Sequence, residues 1–409
     1  MKYDAIIIGG GAAGLYLAAH LNPLKVLVLE KNSRLGLKLL ASGSGQCNLT
    51  HGGDIKDFYS HYGEHKNFVK FALSHHDNKA VIRYFESNGL KCVEREDGKV
   101  FPATLRSTDV LEVLLKGIQF NRNAKIIKEV KISEIAIDME DSSYLVRTDS
   151  GDFIAKNLIV ATGGMTYSRL GTTGDGYAIA EKLGHKVVTA KPGLTSVHCD
   201  DRNLLELSGL TFKNIHLSMV KDGQKAKKFS GDLLLTHFGL SGPIILDNSR
   251  SLEKGDRLEI QFVDSTFDAL EKLFLEIAGS NGEKPLAFFM NKLDIPDRLK
   301  PVILGAAGVK KELRLSEVTK PVRKEIIKHL TAYPVTIQSL SGEATAMVSV
   351  GGVALEEVSA KHLMSRIRSG LYFIGEVLDI DGDSGGYNLQ WAFSSAKTVA
   401  DHIIKNNTQ

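Results

Sequence analysis

Three glycines near the N-terminus have the spacing of a phosphate-binding turn. Gly9, Gly11 and Gly14 follow the apolar run 3–8 and precede a run of small and apolar residues. In such a turn the first glycine permits the tight bend, the second lets backbone approach a pyrophosphate, and the third lets helix pack on strand. The helix start offers free N–H groups to the phosphates. We therefore predict a dinucleotide contacted by Ala12 and Ala13, which open the helix.

Glu30 ends the next apolar run, 25–30, at the usual distance from the glycine turn. A carboxylate at this point accepts hydrogen bonds from ribose hydroxyls and disfavours a 2′-phosphate. The dinucleotide is therefore FAD or NAD rather than NADP, and this first motif does not decide between them.

Two later segments favour a flavin. The run 156–164 is an apolar strand that ends in Thr162, Gly163 and a second glycine, a turn typical of strands that pass close to FAD. A late apolar run ends in Gly375 and Glu376, a position from which a carboxylate can hold the ribityl chain.

The helix that follows this late run is expected to begin near Asn388 and Leu389, after Gly386. Its N-terminus would stabilise negative charge on the reduced flavin. NAD would leave this C-terminal segment without a role, so FAD, bound non-covalently, is the predicted cofactor.

Four segments carry a more specific resemblance. They are RLGLKLLASGSGQCNLTH (34–51), GDLLLTHFGLSGPIIL (231–246), VSVGGV (348–353) and GEVLDIDGDSGGYNLQWAFSSA (375–396). In this order they resemble the BaiN-like, aminoacetone-oxidase-like family of bacterial three-domain FAD flavoproteins. Members usually carry Arg where this chain has Gln46, and Asn where it has His51.

The resemblance implies further FAD contacts beyond those argued from the motifs. They are Lys31, Lys38, Asn48 and Val130, with the Val130 backbone pairing with adenine. Gly45, in the same glycine-rich loop as Asn48, is a further predicted contact. Together with the pattern along the chain, the resemblance predicts an α/β fold: a glutathione-reductase-like Rossmann FAD-binding domain (1–192 with 341–409), an inserted β-barrel-like domain (193–266 with 333–340) and a small helical subdomain (267–332). Short alternating runs after residue 193 and helical periodicity with prolines after residue 267 agree with this order.

No catalytic residue is assigned by the sequence, but three are candidates. His237 could contact substrate or shuttle a proton, or be a buried histidine bonded to its glycine-rich turn. Tyr387 could stack near the flavin ring or support the turn before the last helix. Cys47 could relay electrons, although a packed small residue is the better interpretation because no cysteine lies near it in sequence.

The expected function is an FAD-dependent oxidoreductase that passes hydride through flavin N5 between an acceptor and a small organic substrate or NAD(P)H. With a single GxGxxG motif, NAD(P)H would bind only transiently. One alternative is an amine oxidase that uses oxygen. Another, of a different class, is a flavin-binding redox sensor or RNA-binding module.

The amino-acid composition gives only weak indications of which partners the protein binds. The 409 residues contain 51 Lys and Arg against 48 Asp and Glu, a net charge of +3 that favours no anionic partner. The basic run 221–228 is interpreted as a solvated hairpin tip, with a nucleic-acid patch as the alternative. Three dispersed cysteines favour a reducing, cytoplasmic location and argue against a zinc site. We expect a small-molecule substrate, no metal, no nucleic acid and no membrane partner; the sequence does not indicate the oligomeric state.

Overall fold

The computed structural model describes residues 1–138, 140, 142–221 and 224–407. Asp222 and Gly223, at the predicted hairpin tip, and Thr408 and Gln409, at the end of the predicted FAD-binding domain, lie outside the described residues. The strands are β1 Lys2–Ile8, β2 Val26–Leu29, β3 Thr50–His51, β4 Cys92–Glu94, β5 Lys99–Pro102, β6 Ala124–Ile127, β7 Ile132–Ile137, β8 Tyr144–Thr148, β9 Gly151–Val160, β10 Val187–Gly193, β11 Val197–His198, β12 Thr211–Lys221, β13 Gln224–Leu235, β14 Gly239–Ser241, β15 Arg257–Gln261, β16 Tyr333–Thr336, β17 Ser339–Leu340, β18 Val348–Val353 and β19 Leu371–Phe373.

The α-helices follow the same chain order. They are α1 Ala12–His20, α2 Leu37–Ala41, α3 Ile55–Phe58, α4 Lys66–His75, α5 Asn78–Ser87, α6 Ser107–Phe120, α7 Asp175–Lys182, α8 Arg202–Leu205, α9 Pro243–Leu246, α10 Phe267–Asn281, α11 Leu286–Met290, α12 Leu299–Ala306, α13 Lys320–Thr331 and α14 Tyr387–Asn407. The chain divides into two compact units, Met1–Gly193 with Glu343–Gln409 (the Rossmann unit) and Leu194–Gly342 (the inserted unit).

The Rossmann unit is built on a seven-stranded sheet in the order β6-β2-β1-β9-β8-β7, with β19 also beside β9. Strands β6, β2, β1, β9 and β19 run parallel. Because the carboxyl ends of parallel strands share one sheet edge, the residues that follow β1, β2, β9 and β19 meet there. The predicted α/β class with a Rossmann-type sheet is confirmed.

Burial on both faces explains why these strands read as unbroken apolar runs. Ile6, Ile7, Leu27, Val28 and Ile159 are fully buried. The first and last helices contact each other across the sequence, with the rings of Tyr16 and Phe393 4.7 Å apart. The two ends of the chain therefore share one hydrophobic core.

The inserted unit holds a seven-stranded sheet in the order β16-β15-β12-β13-β14-β11-β17. Its two terminal strands are joined by Ile337 and Gln338, whose N–H groups donate to Asp256 O and His198 O, both at 2.9 Å. This link brings the two ends of the sheet together, as in a barrel. The predicted hairpin at 221–228 is present, since Lys221 pairs with Gln224.

Helices α10 to α13 occupy the segment in which the sequence predicts a helical subdomain. Their buried residues, including Phe274, Ile326 and Leu330, belong to the same core as Leu258 and Ile260 of the sheet. The helices and the sheet therefore form one compact unit. No helix in the described ranges has the length and apolarity needed to cross a membrane.

Candidate cofactor-binding site

In the glycine turn after β1, an added side chain would clash with the backbone at two of the glycines and would meet nothing at the third. A Cβ on Gly9 would lie 2.5 Å from Ala161 O, and one on Gly14 would lie 2.0 Å from Gly9 O. A Cβ on Gly11 would meet nothing within 4 Å. Gly9 and Gly14 are therefore required for packing, whereas Gly11 leaves space in front of the N–H groups of α1, where a phosphate can bind.

Glu30 is buried at the end of β2 and is turned toward this glycine turn. Its Oε2 accepts from Gly10 N at 2.8 Å, and its Oε1 accepts from the Asn32 backbone and side chain, both at 2.8 Å. Oε1 thus already accepts two hydrogen bonds, whereas Oε2 accepts one and keeps a second acceptor position for a ribose hydroxyl. The adjacent Lys31 is engaged elsewhere, because its Nζ pairs with Asp175 and lies 2.5 Å from Thr173 Oγ1. Its predicted cofactor contact stays a prediction.

Val130, for which the resemblance implies a backbone contact with adenine, lies beside Glu30. Its N–H already donates to Glu30 O at 3.0 Å. Only its carbonyl oxygen is then left as a partner for adenine, which narrows the predicted backbone pairing to one hydrogen bond.

The strand end after β19 is packed directly against the first helix. A Cβ on Gly375 would lie 3.1 Å from Ala13 Cβ. The neighbouring Glu376 accepts from Lys38 Nζ at 2.7 and 2.9 Å and from Ser349 N at 2.9 Å. Lys38 also donates to Thr166 Oγ1 at 3.1 Å. The structure thus joins two residues predicted separately, Lys38 and Glu376, as an ion pair.

Ser349 organises this region and was not assigned a role by the sequence, although it lies in the VSVGGV segment. Its Oγ accepts from Met165 N at 2.8 Å, just after the Thr162–Gly163 turn. Gly9 approaches the same turn, since its Cβ would lie 3.1 Å from Thr162 Cα. The second cofactor segment is therefore held by β1 on one side and by β18 on the other.

The last helix begins at Tyr387, one residue before the predicted start. Gly386 has φ +106°, and a Cβ there would lie 2.5 Å from Thr50 O, so only glycine fits between this helix and β3. The side chain of Asn388 brackets Gly382, accepting from its N and donating to its O, both at 2.8 Å. The predicted contact of Asn388 and Leu389 with the flavin would therefore be made by their backbone N–H groups, which lack partners within the helix.

The loop before β3 carries an unsatisfied polar atom. Asn48 Oδ1 is buried and has no hydrogen-bond partner among the described residues. Gly45 lies in the same loop with φ +85°, and a Cβ on it would meet nothing within 4 Å. A buried amide oxygen normally accepts a hydrogen bond, and a bound flavin could supply the missing donor.

Cys47, next to Asn48, is fully buried. Burial raises the pKa of its thiol to about 12. Because the thiolate is the reactive form, a thiol that stays protonated at neutral pH favours the packed-residue interpretation. The neighbouring Gln46, where the resemblance leads us to expect Arg, accepts from an Arg95 guanidinium nitrogen at 2.6 Å, so a guanidinium reaches this loop from another segment.

The ring of Tyr387 stacks against two histidines. Its ring lies 5.4 Å from that of His51 and 4.0 Å from that of His61, with interplanar angles of 14° and 13°. Its backbone O accepts from Tyr62 OH at 2.7 Å. The stacking supports the interpretation of Tyr387 as a residue that fixes the turn.

Two histidine–aspartate contacts were not foreseen from the sequence. His61 Nδ1 lies 3.0 Å from Asp383 Oδ2, and His65 Nε2 lies 3.8 Å from Asp379 Oδ1. Burial raises the pKa of Asp379, an effect that the charge of His65 opposes. The two histidines and the two aspartates are each four residues apart, and this matching spacing was the sequence feature from which the two contacts could have been predicted.

His237 lies in the inserted unit, in the turn between β13 and β14. It is exposed, and its ring packs edge-on against Phe238 at 5.0 Å. The buried alternative for this histidine is therefore wrong, while a role in substrate contact stays a prediction.

The described residues fit FAD. They provide an open glycine position before α1, an acceptor for ribose at Glu30, an unsatisfied amide oxygen at Asn48 and a second helix N-terminus at Tyr387. The fold and these features define the class of Rossmann-fold, FAD-dependent oxidoreductases.

Within this class, residues 3–402 match the HI0933-like protein Rossmann domain, and the chain belongs to this family. A relative from Haemophilus influenzae, named ribosomal RNA dihydrouridine synthase, is 32% identical over 98% of each chain. A relative from Clostridium scindens, named 3-dehydro-bile acid delta(4,6)-reductase, is 28% identical over 95% of this chain and 96% of the relative. Among solved structures, the E. coli quinol fumarate reductase subunit FrdA is 15% identical with a TM-score of 0.53, covering 100% of this chain and 71% of that one, which shows the fold.

Proposed function

We propose that this protein is an FAD-dependent reductase of a carbon–carbon double bond conjugated to a carbonyl group, with uracil in ribosomal RNA as its substrate. The observation that carries the proposal is that two relatives, which align with 98% and 95% of this chain, are named for reactions of the same chemical type. A dihydrouridine synthase saturates the C5=C6 bond of uracil, which is conjugated to the C4 carbonyl. A reductase of a 3-oxo bile acid with unsaturation at positions 4 and 6 acts on a conjugated bond of the same electronic type.

Such a reaction needs a hydride at the carbon remote from the carbonyl and a proton at the nearer carbon. Bound flavin supplies the hydride. The chain supplies orientation: the open turn at Gly11 and the carboxylate of Glu30 would hold the phosphates and ribose, and the Lys38–Glu376 pair would hold the ribityl chain. The N-terminus of α14 would stabilise negative charge as it develops.

RNA is favoured over a steroid because the relative named for ribosomal RNA is 32% identical, against 28% for the one named for a bile acid. The proposal departs from the sequence-based expectation that nucleic acid is not a partner. The bile-acid relative makes a steroid-like enone the second candidate substrate. NAD(P)H is proposed as the reductant, binding transiently because the chain has a single GxGxxG motif.

Complementation tests the proposal. A Haemophilus influenzae strain that lacks its own relative would express this chain, and its ribosomal RNA would be digested and analysed for dihydrouridine by mass spectrometry. We expect wild-type protein to restore dihydrouridine and the variant Glu30→Ala to restore less. Ribosomal RNA without dihydrouridine, although the wild-type protein accumulates with bound FAD, would overturn uracil as the substrate. Consumption of a 3-oxo-Δ4 steroid by the same preparation would then support the second candidate.

A further inference from the structure

The sheet of the inserted unit has one solvent-facing side that is basic and polar. Inward-pointing Leu217, Phe229 and Ile260 are buried in the core, so their neighbours in sequence point outward. The outward residues form three rows across β13, β12 and β15. These rows are Ser230–His216–Gln261, Lys228–Ser218–Glu259 and Lys225–Val220–Arg257, and together they define the basic sheet face.

Cations exceed anions on this face. Lys225 Nζ lies 3.3 Å from Glu259, and Arg257 lies 3.5 Å from the same carboxylate. Lys228 makes no ion pair with any described residue. The three rows thus hold three cations against one carboxylate, so their net positive charge favours an external anion.

The chemistry of the face fits a phosphate backbone better than bases. Its remaining members are Ser, His, Gln and Val, and none of the three rows contains Phe, Tyr or Trp. Binding of single-stranded RNA through bases uses aromatic stacking, whereas contacts to phosphate use lysine, arginine and hydroxyl groups. Contacts on this face would therefore be strongly salt-dependent and largely independent of sequence.

We propose that the basic sheet face is the surface on which ribosomal RNA docks through its phosphates. This inference rests on the proposed function, because it takes RNA as the substrate. The part of β13 that carries Lys225 and Lys228 lies before the residues that pair with β14, and lysines on such an open stretch of strand also prevent pairing between copies of a chain. If the lysines only prevented such pairing, removing their charges would leave the affinity for RNA unchanged. Measuring that affinity therefore distinguishes this role from RNA binding.

The test measures binding of a fluorescently labelled oligouridine by anisotropy over a range of salt concentrations. The test variant is Lys225→Gln/Lys228→Gln/Arg257→Gln. The matched control, Lys320→Gln/Lys324→Gln/Lys328→Gln, removes the same charge from the exposed side of α13 in the same unit. Retention of FAD and the melting temperature verify that both variants fold.

We expect the test variant to bind on the order of tenfold more weakly, with the slope of log K against log salt reduced by about 2, near 0.7 for each lost phosphate contact. The control should stay within about twofold of wild type. Glu259→Gln removes the only carboxylate in the three rows and should tighten binding, an outcome that misfolding cannot imitate.

Wild-type affinity in the test variant, or an equal loss in the control, would overturn the basic sheet face as the docking surface while leaving RNA as the substrate. Failure of the wild-type protein to bind RNA even at low salt would overturn both this inference and the proposed RNA substrate.

Discussion

Glu30 links three parts of the site through one buried carboxylate. It fixes Gly10 in the glycine turn, orients Asn32 after β2, and accepts Val130 N through its backbone oxygen. The identity of this residue and its distance from the turn made it predictable from the sequence. Its hydrogen bonds to the protein were not predictable, because they depend on how the following loop folds back.

Replacing Glu30 by Ala should weaken retention of FAD. The change removes a charged acceptor for the ribose hydroxyls, and such bonds are worth about 1.5–3 kcal/mol, or roughly tenfold or more in the dissociation constant. The ratio of flavin to protein after extensive dialysis measures the effect. Glu30→Gln is the control, since it keeps one acceptor oxygen and the side-chain volume, and it should lose less. A full flavin complement in Glu30→Ala would show that the ribose contact is assigned to the wrong residue.

In the variant Cys47→Ala, the bound flavin should be reduced by an added reductant at the same rate as in the wild-type protein. The thiol is buried and its pKa is about 12, so no thiolate is available for electron relay at neutral pH. Stopped-flow rates and a count of thiols that react in the native protein test this. Cys92, which is only partly buried, is the internal comparison. A large fall in the rate with FAD still bound would restore Cys47 as a catalytic candidate.

Close backbone approaches assemble the elements of the site. Gly9 meets the end of β9, Gly375 meets α1, and Gly386 meets β3. The sequence predicted the strands and the two helix starts because glycine at a strand end has a clear pattern. It did not predict Ser349, His61 or His65, because a serine inside a strand and two histidines in a short 3-10 helical segment are also common in purely structural settings.

Gly386→Ala should separate α14 from β3. Its Cβ would lie 2.5 Å from Thr50 O, so overpacking of about 1–3 kcal/mol adds to the strain of positive φ, about 1–2 kcal/mol. Chemical denaturation and FAD retention measure the two consequences. Gly151→Ala is the matched control, because Gly151 has φ +115° but a Cβ there would meet nothing within 4 Å.

We expect Gly151→Ala to show only the loss of stability due to φ and to keep its flavin. Equal losses in the two variants would mean that the contact with Thr50 does not matter for the site.

At the scale of the whole molecule, a buried aromatic and histidine cluster joins the two ends of the Rossmann unit. His76 Nε2 lies 2.7 Å from Tyr16 OH, and the ring of Tyr16 packs against Phe393 of α14. Burial lowers the pKa of His76 to about 3 and that of His20 to about 4. Nothing in the sequence marked these histidines, because burial of a single side chain is a property of the assembled core.

The depressed pKa values predict loss of stability in acid. As the pH falls below about 6.5, the unfolded chain binds protons on these histidines while the folded protein does not, so the free energy of unfolding decreases. Between pH 7 and pH 5, His76 alone contributes a loss of roughly 2 kcal/mol. Denaturation of wild type and His76→Gln at both pH values measures this, and the variant should lose less. An identical loss in the two proteins would show that other titratable groups determine the pH dependence of the free energy of unfolding.

The most direct test of the central claim follows the visible flavin absorption of the purified protein without oxygen. NADPH is added until the band bleaches, its excess is removed, and bacterial ribosomal RNA that lacks dihydrouridine is then mixed in. We predict that the band returns and that dihydrouridine appears in the RNA in proportion to the flavin reoxidised. A band that stays bleached with this RNA and returns only when oxygen is admitted would contradict the proposed reduction of uracil.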